Sequence, residues 1–315
     1  MPHGTLINGL HHVTATVGDA QQDLDFYTKL LGLRLIKRTV NFDNSSVYHF
    51  YYGDAQGSPG TIMTTFPYKG KGVHAGIKGA GQVTQTTFSV PTESLDFWRD
   101  RLARHGVSVS EREPRFGEDT ITFADPSGLI LEFVACDDDR SDTWASDEIG
   151  TQNAIRGIHS VTLVIQHPNS SLELLQGILG FEVIAEQDNR KRLGVRGGGA
   201  GRVLDVLHIQ DASAGVNGLG TVHHVALAVA DDNDQRTIQE ELRRLGHNVT
   251  DVRDRNYFRS IYFREPGGVL LEVATEGPGF LVDEPKEALG RELMLPEWEE
   301  SRRAEIEAAL PDIHA

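Results

Sequence analysis

At 315 residues, 39% hydrophobic and 24% charged, the chain holds material for about two domains with buried cores. Its 30 Lys plus Arg against 46 Asp plus Glu give a formal net charge of −16. That balance argues against nucleic acid or an anionic membrane as the main partner, since both demand a basic face. The single cysteine, Cys136, excludes an intrachain disulfide and a thiolate zinc site. No stretch approaches the roughly 18 apolar residues of a membrane span, and no basic head with an apolar run opens the chain. A cytoplasmic protein is the expectation.

Taken in order, the chain repeats itself. A shift of 148 positions lays Leu10-His11-His12-Val13-Thr14 on Ile158-His159-Ser160-Val161-Thr162, and Leu31-Gly32-Leu33 on Leu179-Gly180-Phe181. A shift of 140 lays Asp125-Pro-Ser-Gly-Leu-Ile-Leu-Glu132 on Glu265-Pro-Gly-Gly-Val-Leu-Leu-Glu272. Four modules result, near 6–68, 82–136, 156–210 and 220–275. Each opens with an apolar or alternating strand and breaks at polar residues into a helix. In the first module Asp19 is the expected N-cap, Gly32 the expected C-terminal stop, and Leu24, Tyr27 and Leu31 share a face. Three strands follow, separated by Gly, Asn, Asp and Pro.

The expected fold is therefore α+β: four βαβββ modules forming two cupped, half-barrel sheets. The expected division is 1–136 for the first pair of modules, a polar linker at 137–155, 156–275 for the second pair, and a loop with a helical tail at 276–315. The tail helix is expected to start at Pro296. Gly197-Gly-Gly-Ala-Gly201 is followed by strand-like residues, so it reads as a hairpin loop and not a phosphate cradle.

The repeat also sorts the histidines. At the opening-strand position the modules carry His12, Thr84, Ser160 and His224; at the closing-strand position they carry Thr64, Glu132, Asp205 and Glu272. If module one pairs with four, a single cup receives His12, His224 and Glu272, a facial two-histidine-one-carboxylate set with open positions for a divalent metal. Any one of these histidines alone would be read as an ordinary strand residue. The other cup receives no imidazole, so Glu132 is read as structural. Tyr262, on a strand beside Glu272, has two readings, a packing residue or a proton donor facing the metal. By strand alternation His11 and His223 should face away from the metal, with a supporting role only where the strand is irregular.

These features resemble the vicinal-oxygen-chelate (glyoxalase/bleomycin resistance/dioxygenase) superfamily. Tyr51-Tyr-Gly-Asp-Ala-Gln-Gly-Ser-Pro-Gly60, Tyr257-Phe-Arg-Ser-Ile-Tyr-Phe-Arg264 and Gly277-Pro-Gly-Phe-Leu-Val-Asp-Glu284 resemble its hydroquinone-type ring-cleaving dioxygenases. The resemblance implies Fe(II), with Mn(II) as the alternative, on residues matching His12, His224 and Glu272. It also implies support from residues matching His11, Arg255 and Tyr262. The implied substrates are a small aromatic diol and O2. Oligomeric state stays open, with a homo-oligomer as one expectation because half-barrel proteins with a helical tail often associate. Two other classes stay open at this point: a glyoxalase-like isomerase, and a non-catalytic small-molecule-binding module. Thr64, where the isomerase would need a fourth carboxylate, argues against the first. The intact His/His/Glu set argues against the second.

Overall fold

The computed structural model describes residues 5–138 and 143–314; part of the expected linker, 139–142, lies outside them. Module one comprises β1 (Ile7–Val17), α1 (Ala20–Asp25, extended by a π-turn over Phe26–Leu30), β2 (Arg34–Asn41), β3 (Asn44–Gly53) and β4 (Ile62–Pro67). Module two comprises β5 (Gln82–Val90), α2 (Leu95–Arg104), β6 (Glu113–Arg115), β7 (Glu118–Ala124) and β8 (Ile130–Ala135). Module three comprises β9 (Gly157–Ile165), α3 (Pro168–Gly177), β10 (Glu182–Gln187), β11 (Arg190–Gly194) and β12 (Val203–His208). Module four comprises β13 (Thr221–Val229), α4 (Asp232–Arg244), β14 (Arg253–Asp254), β15 (Phe258–Arg264) and β16 (Leu270–Pro278).

Local chemistry explains the grammar. Asp19 caps α1 by accepting from the backbone N–H groups of Gln21 and Gln22, and Gly32 stops the segment at φ +69°. The repeated Asp/Glu-Pro-x-Gly motif is a carboxylate-capped turn. Asp125 accepts from Ser127 N and Leu129 N; Glu265 accepts from Gly267 N and Val269 N. Gly128 (φ +87°) and Gly268 (φ +100°) take the left-handed conformation that closes it.

The strands form two curled eight-stranded sheets, in the orders β14-β15-β16-β13-β1-β4-β3-β2 and β10-β11-β12-β9-β5-β8-β7-β6. Module one thus pairs with four through antiparallel β1 and β13, and two with three through β5 and β9. Val13, Ala15 and Val17 of β1 enter the main core, together with Leu24, Tyr27, Trp98, Leu102 and Ile238 of the helical segments. His12, Thr14 and Thr16 line the cup.

Register corrects one expectation. Gln85 pairs with Thr162 as His224 pairs with Thr14, and Thr87 faces Glu132 as Ala226 faces Glu272. The counterpart of His224 in the second cup is therefore Gln85, and Thr84 is the counterpart of His223. The offset is 139 on β5 and 140 on β8, because the intervening segments differ by one residue.

The second cup is filled by ion pairs. Arg115 reaches Glu132 (2.6 Å), Arg190 and Arg192 reach Asp205 (3.2 and 2.8 Å), and Arg192 also meets Glu118 (2.5 Å). Thr87 donates to Glu132 at 2.9 Å. The linker residues beyond 142 pack rather than dangle: Ile149 is buried and touches Gly32's position, and Trp144 lies under Arg34.

The C-terminal segment closes one end of the first cup. Phe280 and Leu289 join Ile36, Tyr51, Tyr257 and Phe258 in an apolar cluster. The fully buried Lys37 pairs with Asp283 (2.6 Å) and with Glu284, and Tyr257 donates to Asp283 (3.0 Å). Met294 N–H donates to the Arg38 carbonyl, covering the β2 edge. The tail helix is shorter than expected. Pro296–Glu299 forms a turn, a 3-10 turn spans Glu300–Arg302, and α5 spans Arg303–Ala309. Ile306 and Leu310 are its buried anchors.

Candidate metal centre

β1, β13 and β16 lie side by side at the middle of the first sheet, which brings His12, His224 and Glu272 together. His12 Nε2 and His224 Nε2 are 3.4 Å apart; Glu272 Oε2 is 3.3 Å from the first and 2.9 Å from the second. All three residues are buried, and their ligand atoms lie within 4.8 Å of one another. Glu272 Oε1 accepts from the Ser260 hydroxyl, whereas Oε2 has no donor aligned on it. A buried carboxylate oxygen without a hydrogen bond, facing two imidazole nitrogens, fits a cation among the three.

The outer nitrogens are equally organised. His12 Nδ1 meets His11 Nδ1 at 2.9 Å, and His224 Nδ1 meets His223 Nδ1 at 2.7 Å. Such contacts hold a ligand ring in the tautomer and orientation that leave Nε2 free for metal. Adjacent strand residues can meet this way only if alternation fails, and it does. β1 advances from Leu10 to His12 while β13 advances one residue, making His11 the extra residue of a bulge; His223 is the extra residue on β13. The expectation that both face away is corrected by these bulges. His159 and Thr84 hold the same bulge positions in the second cup.

Burial lowers His11 to about 3, with the neighbouring His12 adding to it, and His223 falls to about 3 for the same reasons, burial first and then His224. Both are neutral imidazoles at physiological pH. Burial also lowers His224, against the pull of Glu272. For Glu272, burial works to raise the carboxyl, but His12 and His224 outweigh it and hold it well below the ordinary range.

A cavity of about 450 Å³ opens over this cluster, enough for a one-ring ligand. Tyr262 and Arg255 line it on the module-four side, and Thr14, His49, Tyr51 and Phe66 on the module-one side. Arg255 Nε donates to the Tyr262 oxygen (3.1 Å) and its Nη2 reaches Asp43 (3.2 Å) on the β2–β3 turn across the mouth. Burial and the charge of Glu272 raise the Tyr262 phenol, with Arg255 opposing, so the phenol keeps its proton. His12, His224, Glu272, His11, Arg255 and Tyr262 thus converge on one place; Thr84 and Glu132 do not. Sequence reasoning gave no role to Ser260, Asp43 or His49. The spacing of Ser260 two residues before Tyr262, on the same strand face, was the available signal for the first.

The chain belongs to the Glyoxalase/Bleomycin resistance protein/Dioxygenase superfamily, whose family model matches residues 9–133 and 157–273. It is 43% identical over 302 residues to MhqO of Bacillus subtilis (strain 168), provisionally named a ring-cleaving dioxygenase; the match covers 96% of this chain and 95% of that protein. It is 36% identical to the chlorohydroquinone/hydroquinone 1,2-dioxygenase of Sphingobium indicum, covering 97% of each chain. A crystal structure from Bacillus subtilis subsp. subtilis str. 168, also provisionally named a dioxygenase, superposes with a TM-score of 0.93 at 41% identity, over 99% of this chain and 98% of the other. Within the superfamily the chain groups with these dioxygenases.

Proposed function

We propose that the chain is a ring-cleaving dioxygenase that uses Fe(II) and O2 on a hydroquinone-like aromatic diol. The observation that carries this reading is the buried His12, His224 and Glu272 cluster, with Thr64 rather than a carboxylate at the fourth position. Thr64 faces Thr14, two residues beyond His12, as Glu272 faces Ala226, two residues beyond His224. A hydroxyl there leaves open positions that a fourth carboxylate would close. The named relatives support the reaction class and the diol.

A bound ferrous ion would supply adjacent sites for a phenolic oxygen and O2 and the electron density that makes O2 reactive toward the ring. The chain's own groups do the rest. His11 and His223 fix the ligand imidazoles. Tyr262 O–H donates to, and takes back a proton from, the substrate oxygen nearest the ligands. Arg255, tethered by Asp43, orients Tyr262 and holds positive charge beside it. Phe66, Tyr51 and Phe258 wall the ring and exclude water.

The test is anaerobic loading with Fe(II), then oxygen uptake on hydroquinone and on catechol, beside His224→Ala. Uptake with hydroquinone that vanishes in the variant, together with loss of bound iron, is the expected result. No uptake with any diphenol, but turnover of methylglyoxal hemithioacetal under Ni(II) or Zn(II), would move the chain to the isomerases. Manganese in place of iron is distinguished by repeating the loading with Mn(II).

A further inference from the structure

The two halves of the first cup are built on one plan, and comparing them singles out His49. Tyr51 faces Thr64 on β4 as Tyr262 faces Glu272 on β16. Two residues back on each strand stand His49 and Ser260. Each contacts its own closing-strand residue: Ser260 donates to Glu272, and His49 Nε2 lies 3.0 Å from Thr64 Oγ1. Module four thus spends this position on holding a metal-ligand carboxylate. Module one has no carboxylate to hold, and it carries an imidazole there instead.

The imidazole is fixed. Its ring packs between Tyr51 (centroids 4.1 Å apart) and Phe66 (4.3 Å). With the Thr64 hydroxyl proton directed at Thr14 (2.8 Å), Thr64 accepts from His49 in its Nε2–H tautomer. That leaves Nδ1 as the bare acceptor of a ring lining the cavity, with no partner among the described residues. Burial, aided by His12 and His224, holds His49 well below its ordinary pKa and keeps it neutral. His49 makes its polar contact with Thr64 and none with His12, His224 or Glu272 among the described residues, so Nδ1 offers an acceptor separate from the three ligands.

We propose that His49 recognises the second hydroxyl of the aromatic substrate, the one that does not reach the metal ligands, by accepting its hydrogen bond at Nδ1. The inference rests on the dioxygenase reading and extends it to substrate choice. A hydroquinone, with one oxygen at the ligands and the other across the ring, satisfies His49; a phenol does not. Binding is the direct readout, since a polar acceptor left unpaired in a buried site discriminates against the ligand that lacks the donor.

The experiment measures affinities of hydroquinone and phenol for the Fe(II)-loaded protein by calorimetry without oxygen, in wild type, His49→Phe and Thr64→Val. Iron content and thermal unfolding report the integrity of each variant. The wild type is expected to prefer hydroquinone, and His49→Phe to reduce that preference about tenfold with phenol affinity little changed. Thr64→Val, which removes the anchor of the imidazole, is expected to give a smaller loss in the same direction. An unchanged hydroquinone-to-phenol ratio in an iron-loaded His49→Phe protein overturns the proposal. If His49→Phe fails to load iron, an unchanged ratio in Thr64→Val overturns it equally. Oxygen uptake on hydroquinone with an unchanged ratio removes only His49; no uptake with any diphenol in the wild type removes the dioxygenase reading and His49 with it.

Discussion

At the scale of single residues, the chemistry depends on which side chains share a face, and two bulges decide that. His12 and His224 were legible because they recur at one repeat position with Glu272 on the neighbouring strand. The supporting role of His11 was implied by resemblance. That of His223 was left open only for an irregular strand, because a regular strand turns it away and the extra residue at the bulge brings it back. His49 was hidden, because its contact partner is Thr64, a residue with no chemical signature of its own. Tyr262 presents a protonated phenol steadied by Arg255. Replacing it by phenylalanine removes the proton and keeps the ring, so kcat on hydroquinone should fall by roughly 100-fold or more with bound iron unchanged. Unaltered turnover would take Tyr262 out of the mechanism.

At the scale of elements, the Asp19 cap and the Gly32 stop of the first helix were readable because their cause is local, lying within a few residues of the backbone groups they act on. The tail was misjudged from Pro296 because its first residues turn back to place Trp298 against Phe42, a tertiary contact that periodicity does not carry. The first helix holds a further surprise. Asp23 is buried, accepts from the Tyr52 hydroxyl (2.7 Å) and the Thr65 hydroxyl (2.5 Å), and has one oxygen without a partner. Burial pushes it up to about 7 despite those hydrogen bonds, with Asp125 nearby adding to the rise. The sign follows: a carboxyl raised in the folded state stabilises the fold below its unfolded value of 3.8 and loses that contribution as pH rises through about 7. Asp23→Asn keeps the acceptor and removes the titration. Denaturant unfolding of both proteins should therefore show the variant gaining on wild type by a few kcal/mol, order of magnitude, between acid and neutral pH. Parallel curves across that range would show that Asp23 ionises as an ordinary surface carboxylate does.

At the scale of the whole molecule, one plan repeated four times has yielded a cup with an open cavity and a cup occupied by ion pairs. Module pairing was legible because only one arrangement assembles the two histidines and the glutamate. The filling of the second cup by Arg115, Arg190 and Arg192 was not, since their ion pairs join strands whose register the sequence pattern does not carry. Glu132 shares the motif of Glu272 yet is consumed by Arg115 and Thr87. Glu132→Gln should cost about 1–3 kcal/mol of stability by weakening charged hydrogen bonds, while bound iron and turnover stay at wild-type values. A loss of iron in that variant would show that the second cup takes metal. The pairing of first module with last has a consequence for how the protein is made. Modules two and three are neighbours in sequence and can complete their sheet while synthesis continues. β1, although made first, must wait for β13 and β16, across more than 200 residues. No nascent chain holds His12, His224 and Glu272 together until residue 272 has left the ribosome, so a prematurely terminated product cannot assemble the three-residue site.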